Sequence, residues 1–130
     1  MTPNVLVTGL GVVSPLGSEI EAFWRSCLSG TSGIRPIQAF DAADLACQIA
    51  GEAWDFDPRV SLSAKETSRM GRFVQMSVVA VDQAATQAKL SRSLGARVAV
   101  VWGNGSGGTP FVESIVGPAR DLGWRSCEAV

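Results

Sequence analysis

Five apolar residues in a row, Val98 to Trp102, run straight into Gly103, Gly105 and Gly108, which are spaced G-x-G-x-x-G. A short unbroken apolar run rich in β-branched residues reads as a strand buried on both faces. Dense glycine after such a strand lets the backbone turn sharply and lets another group come close to the main chain. Few folds use this combination. A strand covered on both faces needs a layer on each side of its sheet. Taken alone, it also fits a dinucleotide-binding turn.

The remainder of the chain gives that strand its setting. Asn4 to Thr8 reads as a second buried strand, closed by Gly9-Leu10-Gly11; Ser14 stands where a third fingerprint glycine belongs. Ser18 and Glu21 have capping-box spacing, so a helix is expected from Ser18. Ile20, Phe23, Trp24, Cys27 and Leu28 form its apolar face, and Gly30 ends it. This places Cys27 in the core rather than among nucleophiles. Thr31 to Leu45 reads as irregular, and Gln48 to Trp54 as a strand or an extended excursion, stopped by Asp55-Phe56-Asp57-Pro58.

Ser63 and Glu66 make another capping box, opening a helix expected from about Ala64 to Leu90. Met70, Phe73, Val74, Ser77, Val78, Val81, Ala84, Ala85 and Ala88 give it one small, apolar face, with the alanines set for close packing. Lys65, Arg69 and Arg72 fall at i, i+4 and i+7, a basic stripe near the helix start. Acidic groups suit that end of a helix better, so the placement costs some stability and hints at a function. After Gly108, Thr109-Pro110 is suited to begin a further helix. The predicted order, β, α, excursion, α, β, glycine loop, α, indicates an α/β layered architecture.

Composition narrows the function classes. The chain has 130 residues, 46% of them apolar and 18% charged, as expected of a globular domain. A net charge of −1 argues against a general nucleic-acid binder. Charge is unevenly placed: seven acids and two arginines precede Pro58, whereas residues 58–97 hold seven basic groups and two acids. No signal-peptide pattern or membrane-length apolar run is present, so a cytoplasmic protein without membrane partners is expected. Cys27, Cys47 and Cys127 are widely separated and there is no histidine, so neither a disulfide framework nor a metal site is expected.

Five stretches in order, VLVTGLGVVSPLG (5–17), FWRSCLSGTSGIRPIQAFD (23–41), IAGEAWDFDP (49–58), KETSRMGRFVQMSVVAVDQA (65–84) and RVAVVWGNGSGG (97–108), resemble the beginning of a β-ketoacyl-acyl-carrier-protein synthase. This is a condensing enzyme of thiolase-like fold. The resemblance implies an α/β chain forming an incomplete N-terminal half of that layered fold. Residues 1–108 would be the ketosynthase-like segment and 109–130 an atypical tail. Gly71 replaces the acidic residue usual after the arginine-methionine pair, and Ser68 a basic one.

The resemblance further implies that Lys65, Arg69 and Arg72 face the acidic acyl carrier protein. Gly103, Gly105, Ser106, Gly107 and Gly108 would line the acyl pocket, with Ser106 small where a bulky aliphatic side chain often gates it. Substrates would arrive on the carrier's phosphopantetheine, with no separate cofactor. The family's nucleophilic cysteine and two histidines belong to later segments, so no catalytic residue is assigned here. Cys127 lacks the surroundings of a nucleophile. Family members pair as dimers, and a chain holding part of one half would expose apolar surface meant for neighbouring strands.

Three functions stay open at this point. One is the N-terminal part of a synthase that elongates fatty acids or polyketides, inactive by itself. Another is a non-catalytic module that binds carrier protein or pairs with another subunit. The third is a dinucleotide-binding half-domain, with Asp121 as the acid that would contact a ribose.

Overall fold

A computed structural model describes residues 4–91, 97–105, 107–109, 111–114 and 116. Its elements are helix α1 (Ile20–Leu28), strands β1 (Ile34–Pro36) and β2 (Ile49–Gly51), a 3-10 turn (Pro58–Val60), and helices α2 (Ala64–Thr67) and α3 (Arg72–Gln87).

The excursion is more ordered than its turn-rich composition suggests. β1 and β2 pair antiparallel, with Arg35 opposite Ala50. Glu52 extends the junction, its carboxylate accepting from the backbone N–H groups of Gln38 and Ala39 at 3.1 Å. Pro15 packs where a Cβ on Gly33 or Gly51 would stand, so this ribbon rests on the Ser14–Gly17 turn.

α1 starts one residue later than the capping box predicts. Its N-cap is Glu19, which makes no side-chain capping bond. Ser18 is held instead by Asp55: the carboxylate accepts from the Ser18 backbone N–H at 3.2 Å and from its hydroxyl at 3.0 Å. A partner 37 residues away has displaced the local cap. The other end agrees with expectation. Gly30 has φ +67, and the N–H groups of Gly30 and Thr31 donate to the Cys27 and Ser26 carbonyls, a Schellman closure. The apolar face of α1 is largely uncovered, with Trp24 and Leu28 exposed; Cys27 is also exposed, not in a core.

The Ser63 capping box forms as read. The Ser63 hydroxyl accepts from the Glu66 N–H at 3.3 Å, and Glu66 Oε2 accepts from the Ser63 N–H at 2.9 Å. The Ser63 hydroxyl also donates to Oε2 at 2.6 Å, and this bond, then the one from the Ser63 N–H, holds the Glu66 carboxyl below its usual range. A lowered folded-state value stabilises above the ordinary glutamate range and is lost as pH falls through the lowered value. Ser63→Ala is expected to cost about 1 kcal/mol in urea unfolding. Acidification is expected to lower α2 helicity in the parent, followed by circular dichroism, and Ser63→Ala should lessen that loss.

The continuous helix expected from Ala64 to Leu90 is instead two helices, separated at Ser68–Gly71. Gly71 is extended (φ −61, ψ 150) and opens α3. The Gln75 side chain stabilises the break, its amide donating to the Thr67 carbonyl at 2.9 Å and the Met70 carbonyl at 2.7 Å. The Thr67 carbonyl otherwise receives only a long bond from the Met70 N–H, at 3.4 Å, so the glutamine serves as the stronger donor at this helix end.

α3 organises everything else. Val79, at 1% exposure, is its most buried residue and lies outside the stripe read from periodicity. It packs with Ala53 and Phe56 from the excursion, and Val13 and Met76 close the cluster. On an adjacent side, Gly9 and Gly11 lie directly on the helix backbone at Ala84 and Ala80, consistent with the close packing expected of the alanines. Two glutamines fasten this approach. Gln87 Oε1 accepts from the Leu10 N–H at 2.6 Å; Gln83 accepts from Val12 N–H at 3.0 Å and donates to the Ser18 carbonyl at 2.6 Å.

The two apolar runs read as buried strands are not strands here. Residues 5–7 and 98–102 carry no ladder, and Val5 and Val101 are each 93% exposed. An apolar segment becomes a strand only when a neighbour accepts its backbone bonds, and none among the described residues does so. This is the exposed apolar surface expected of part of a layered half. Residues 109, 111–114 and 116 are helical, where the Thr109-Pro110 signal places a helix.

Candidate functional site

The break between α2 and α3 brings the predicted docking residues and the predicted glycine loop to one place. Lys65 lies on α2, Arg69 in the break, and Arg72 at the first position of α3. Helical spacing therefore does not set the three on one continuous stripe, because the helix that would align them is interrupted. Lys65 and Arg69 are exposed and form no ion pair among the described residues.

Arg72 is differently engaged. Its guanidinium donates to the Ala53 carbonyl at 2.8 Å and lies over the Phe56 ring, 5.1 Å from the centroid. Ala53 and Phe56 are both buried. A cation at a helix N-terminus, unfavourable by itself, is here explained by the contact it makes to the excursion. The neighbouring Asp57–Arg59 pair is local. Arg59 donates to Asp57 at 2.9 Å, and that side-chain bond, then the Arg59 N–H, draws the Asp57 carboxyl below its usual range.

The glycine loop comes back over the same break. Phe73 faces its second half: a Cβ on Gly107 would stand 2.8 Å from the ring Cδ2, and one on Gly108 2.9 Å from Cε1. Gly108 also has φ +93, a conformation open to glycine. Asn104 Oδ1 accepts from the Gly107 N–H at 3.1 Å, closing the loop on itself. Phe111 covers Gly71, where a Cβ would meet its Cβ at 3.2 Å. Nothing approaches within 4 Å of a Cβ on Gly103 or Gly105. Ser106 lies outside the described residues, as do Asp121 and Cys127.

Periodicity assigned Phe73 to a core face and did not single out Asn104. The one local signal was Asn104 three residues before a glycine, the spacing of a side chain that caps a turn. A cleft of about 720 Å³ lies elsewhere, walled by Ile20, Phe56, Val79 and Asp82, and contains none of the predicted site residues. Among the described residues no group of three or more His, Cys, Asp or Glu is arranged to hold a metal ion. No helix among them is long and apolar enough to cross a membrane.

Comparison with known proteins places this geometry. Residues 2–122 match the family described as "Beta-ketoacyl synthase, N-terminal domain". A 3-oxoacyl-[acyl-carrier-protein] synthase 2 of Synechocystis sp. is 42% identical over 126 residues, covering 95% of this chain and 30% of the relative. The protein of the same description from Coxiella burnetii is 40% identical over 112 residues, 85% of this chain and 27% of the relative. Among solved structures, the ishigamide ketosynthase/chain length factor superposes with a TM-score of 0.62 at 33% identity, covering 68% of this chain and 22% of that one. The chain thus spans less than a third of the length of these relatives and shares the α/β architecture of part of the ketosynthase, thiolase-like fold. On the match over residues 2–122, the chain belongs to the β-ketoacyl synthase family and corresponds to its N-terminal domain.

Proposed function

We propose that this chain supplies the N-terminal portion of a β-ketoacyl-acyl-carrier-protein synthase acting in fatty acid or polyketide elongation, and that the 130 residues alone perform no condensation. The family match over nearly the whole chain carries the reading. In such a reaction an acyl group passes from the carrier's phosphopantetheine to a cysteine thiolate. A malonyl unit on carrier protein then loses CO₂, and its carbanion attacks the acyl thioester, breaking the C–S bond and releasing the cysteine thiolate. The chemistry needs a nucleophile and donors for the developing oxyanion. Without any histidine, this composition cannot supply imidazole for either task. What it offers is scaffold, a cationic approach for an acidic carrier, and a loop for the pocket wall. A cytoplasmic setting accompanies this reading.

The docking role falls chiefly on Lys65 and Arg69, since Arg72 is committed to Ala53 and Phe56. Exposed charge pairs contribute about 0.2–1 kcal/mol each, so the two cations steer and orient the carrier more than they hold it. A second reading, a non-catalytic module that pairs with a fuller synthase, is favoured by the exposed apolar runs at Val5–Val7 and Val98–Trp102.

Calorimetric titration with acyl carrier protein at low salt tests the docking surface. Lys65→Glu/Arg69→Glu is expected to weaken binding at least tenfold, and high salt to weaken the parent similarly. Unchanged affinity after charge reversal discards the surface. Condensation product formed from acyl- and malonyl-carrier protein by the 130-residue chain discards the proposed inactivity.

A further inference from the structure

The cleft of about 720 Å³ lies between α1 and α3, two helices that do not pack on one another. Val79, Asp82, Gln83 and Thr86, at i, i+3, i+4 and i+7, give it one face of α3, about 10 Å long. Ile20 and Ala22 come from α1, and Phe56 and Val60 from the chain entering and forming the 3-10 turn. Phe56 and Val79 are buried and make an apolar floor, whereas Val60 is 72% exposed.

The charge around that floor has one sign. Glu19, Asp55, Asp57 and Asp82 line the cleft, and no lining residue is basic. Arg59 pairs with Asp57 at 2.9 Å; among the described residues none of the other three is ion-paired. Two of these are held in place by hydroxyl donors, Asp55 by Ser18 at 3.0 Å and Asp82 by Ser61 at 2.7 Å. Glu19 makes no side-chain capping bond. A carboxylate can accept about four hydrogen bonds, so each retains capacity for a donor.

We infer that this cleft is a docking site for a basic amphipathic segment of another polypeptide. Apolar side chains of the segment cover Phe56, Val60 and Val79, and its lysines or arginines meet Glu19, Asp55 and Asp82. Charge complementarity selects the occupant: an apolar floor walled only by acids suits a cation carried beside apolar surface. The three carboxylates stand on separate elements, so cations spaced along one chain answer them better than one small ion does. Long cationic side chains also cover apolar surface with their stems while their heads reach the acids. A helix laid in a groove meets its partner at the spacing that α3 presents here. The apolar contact holds the segment, and the acids steer and orient it.

The test titrates the 130-residue chain with a synthetic leucine–lysine peptide of about four helical turns, its leucines and lysines on opposite faces. Calorimetry at low salt reports affinity, and NMR amide shifts at Val79, Asp82 and Thr86 report the place. One-to-one binding is expected. Glu19→Gln/Asp82→Asn should weaken it at least fivefold, and Val60→Ser at least fourfold. Raising the salt should weaken it as well. Asp44→Asn, at an exposed acid outside the cleft, should leave it unchanged. Glu19 caps nothing and Val60 is exposed, so Glu19→Gln and Val60→Ser keep the fold and decide the matter should Asp82→Asn disturb the Ser61 contact.

A peptide that does not bind, or that Asp44→Asn weakens as much as Glu19→Gln/Asp82→Asn does, overturns the inference. Equal affinity for a serine–lysine peptide of the same charge overturns the apolar half of it. Hexylammonium bound as tightly as the peptide makes the cleft a small-cation site instead. Self-association of the parent chain that Glu19→Gln/Asp82→Asn abolishes makes the occupant a second copy, and the inference falls.

Discussion

Gly11→Ala is expected to lower the urea midpoint of unfolding more than any other single methyl addition in the chain. A Cβ at this position would fall on the backbone carbonyl of Ala80, a group that cannot rotate away. Accommodating it requires residues 9–12 to lift off α3. That would break the bonds from the Leu10 and Val12 N–H groups to Gln87 and Gln83. Overpacking a close contact costs about 1–3 kcal/mol, and the loss of two hydrogen bonds adds about 1 kcal/mol each. A total on the order of 3 kcal/mol or more is a large share of the stability of a small domain. Gly103→Ala and Gly105→Ala, with nothing within 4 Å of the new methyl, are expected to stay within about 0.5 kcal/mol of the parent. Equal midpoints for Gly11→Ala and Gly103→Ala would show that the segment does not lie on the helix.

The second large effect is expected at Arg72. Arg72→Ala removes the charged donor to the half-buried Ala53 carbonyl and the cation over Phe56. A hydrogen bond to a charged group contributes about 1.5–3 kcal/mol, and a cation over an aromatic ring at an exposed site about 0.5–1 kcal/mol. A loss of about 2–4 kcal/mol follows, measurable by urea unfolding. Arg72→Lys should recover only part of it, because an ammonium cannot spread a planar fork over the ring while donating to the carbonyl. Arg69→Ala, at an exposed position without an ion pair, should change stability by less than about 0.5 kcal/mol. Similar losses at both arginines would return Arg72 to the same role as Arg69.

These contrasts show which parts of the architecture were readable from residues alone. The Gly30 closure and the Ser63–Glu66 capping box came through intact, since both are settled within a few residues. Ser18 did not, because the carboxylate that holds it is 37 positions away. The helix break at Gly71 was not legible, because what stabilises it is a glutamine four residues on whose side chain turns back to two carbonyls. Val79 was missed because α3 is covered on more than one side, so a single stripe does not describe its buried surface.

The candidate site divides in the same way. The spacing of Gly103, Gly105 and Gly108 drew attention to the right loop, yet the contacts fall on Gly107 and Gly108. Which glycine is needed depends on the ring opposite, more than thirty residues earlier in the chain. Order and identity of motifs identified the family; contacts between distant segments decided which arginine is free and which is bound.

The paired glutamines on α3 have a consequence for assembly. Gln83 and Gln87 take the N–H groups of Val12 and Leu10, alternate residues of an extended segment. That fixes the phase of the backbone running back towards Val5. A strand arriving beside Val5–Val7 from any source meets side chains whose facing has already been chosen, since a slip of one residue exchanges the two faces. It would also carry Gly9 and Gly11 off the helix. The helix thus works as a jig: it dictates register for a sheet before that sheet has been built.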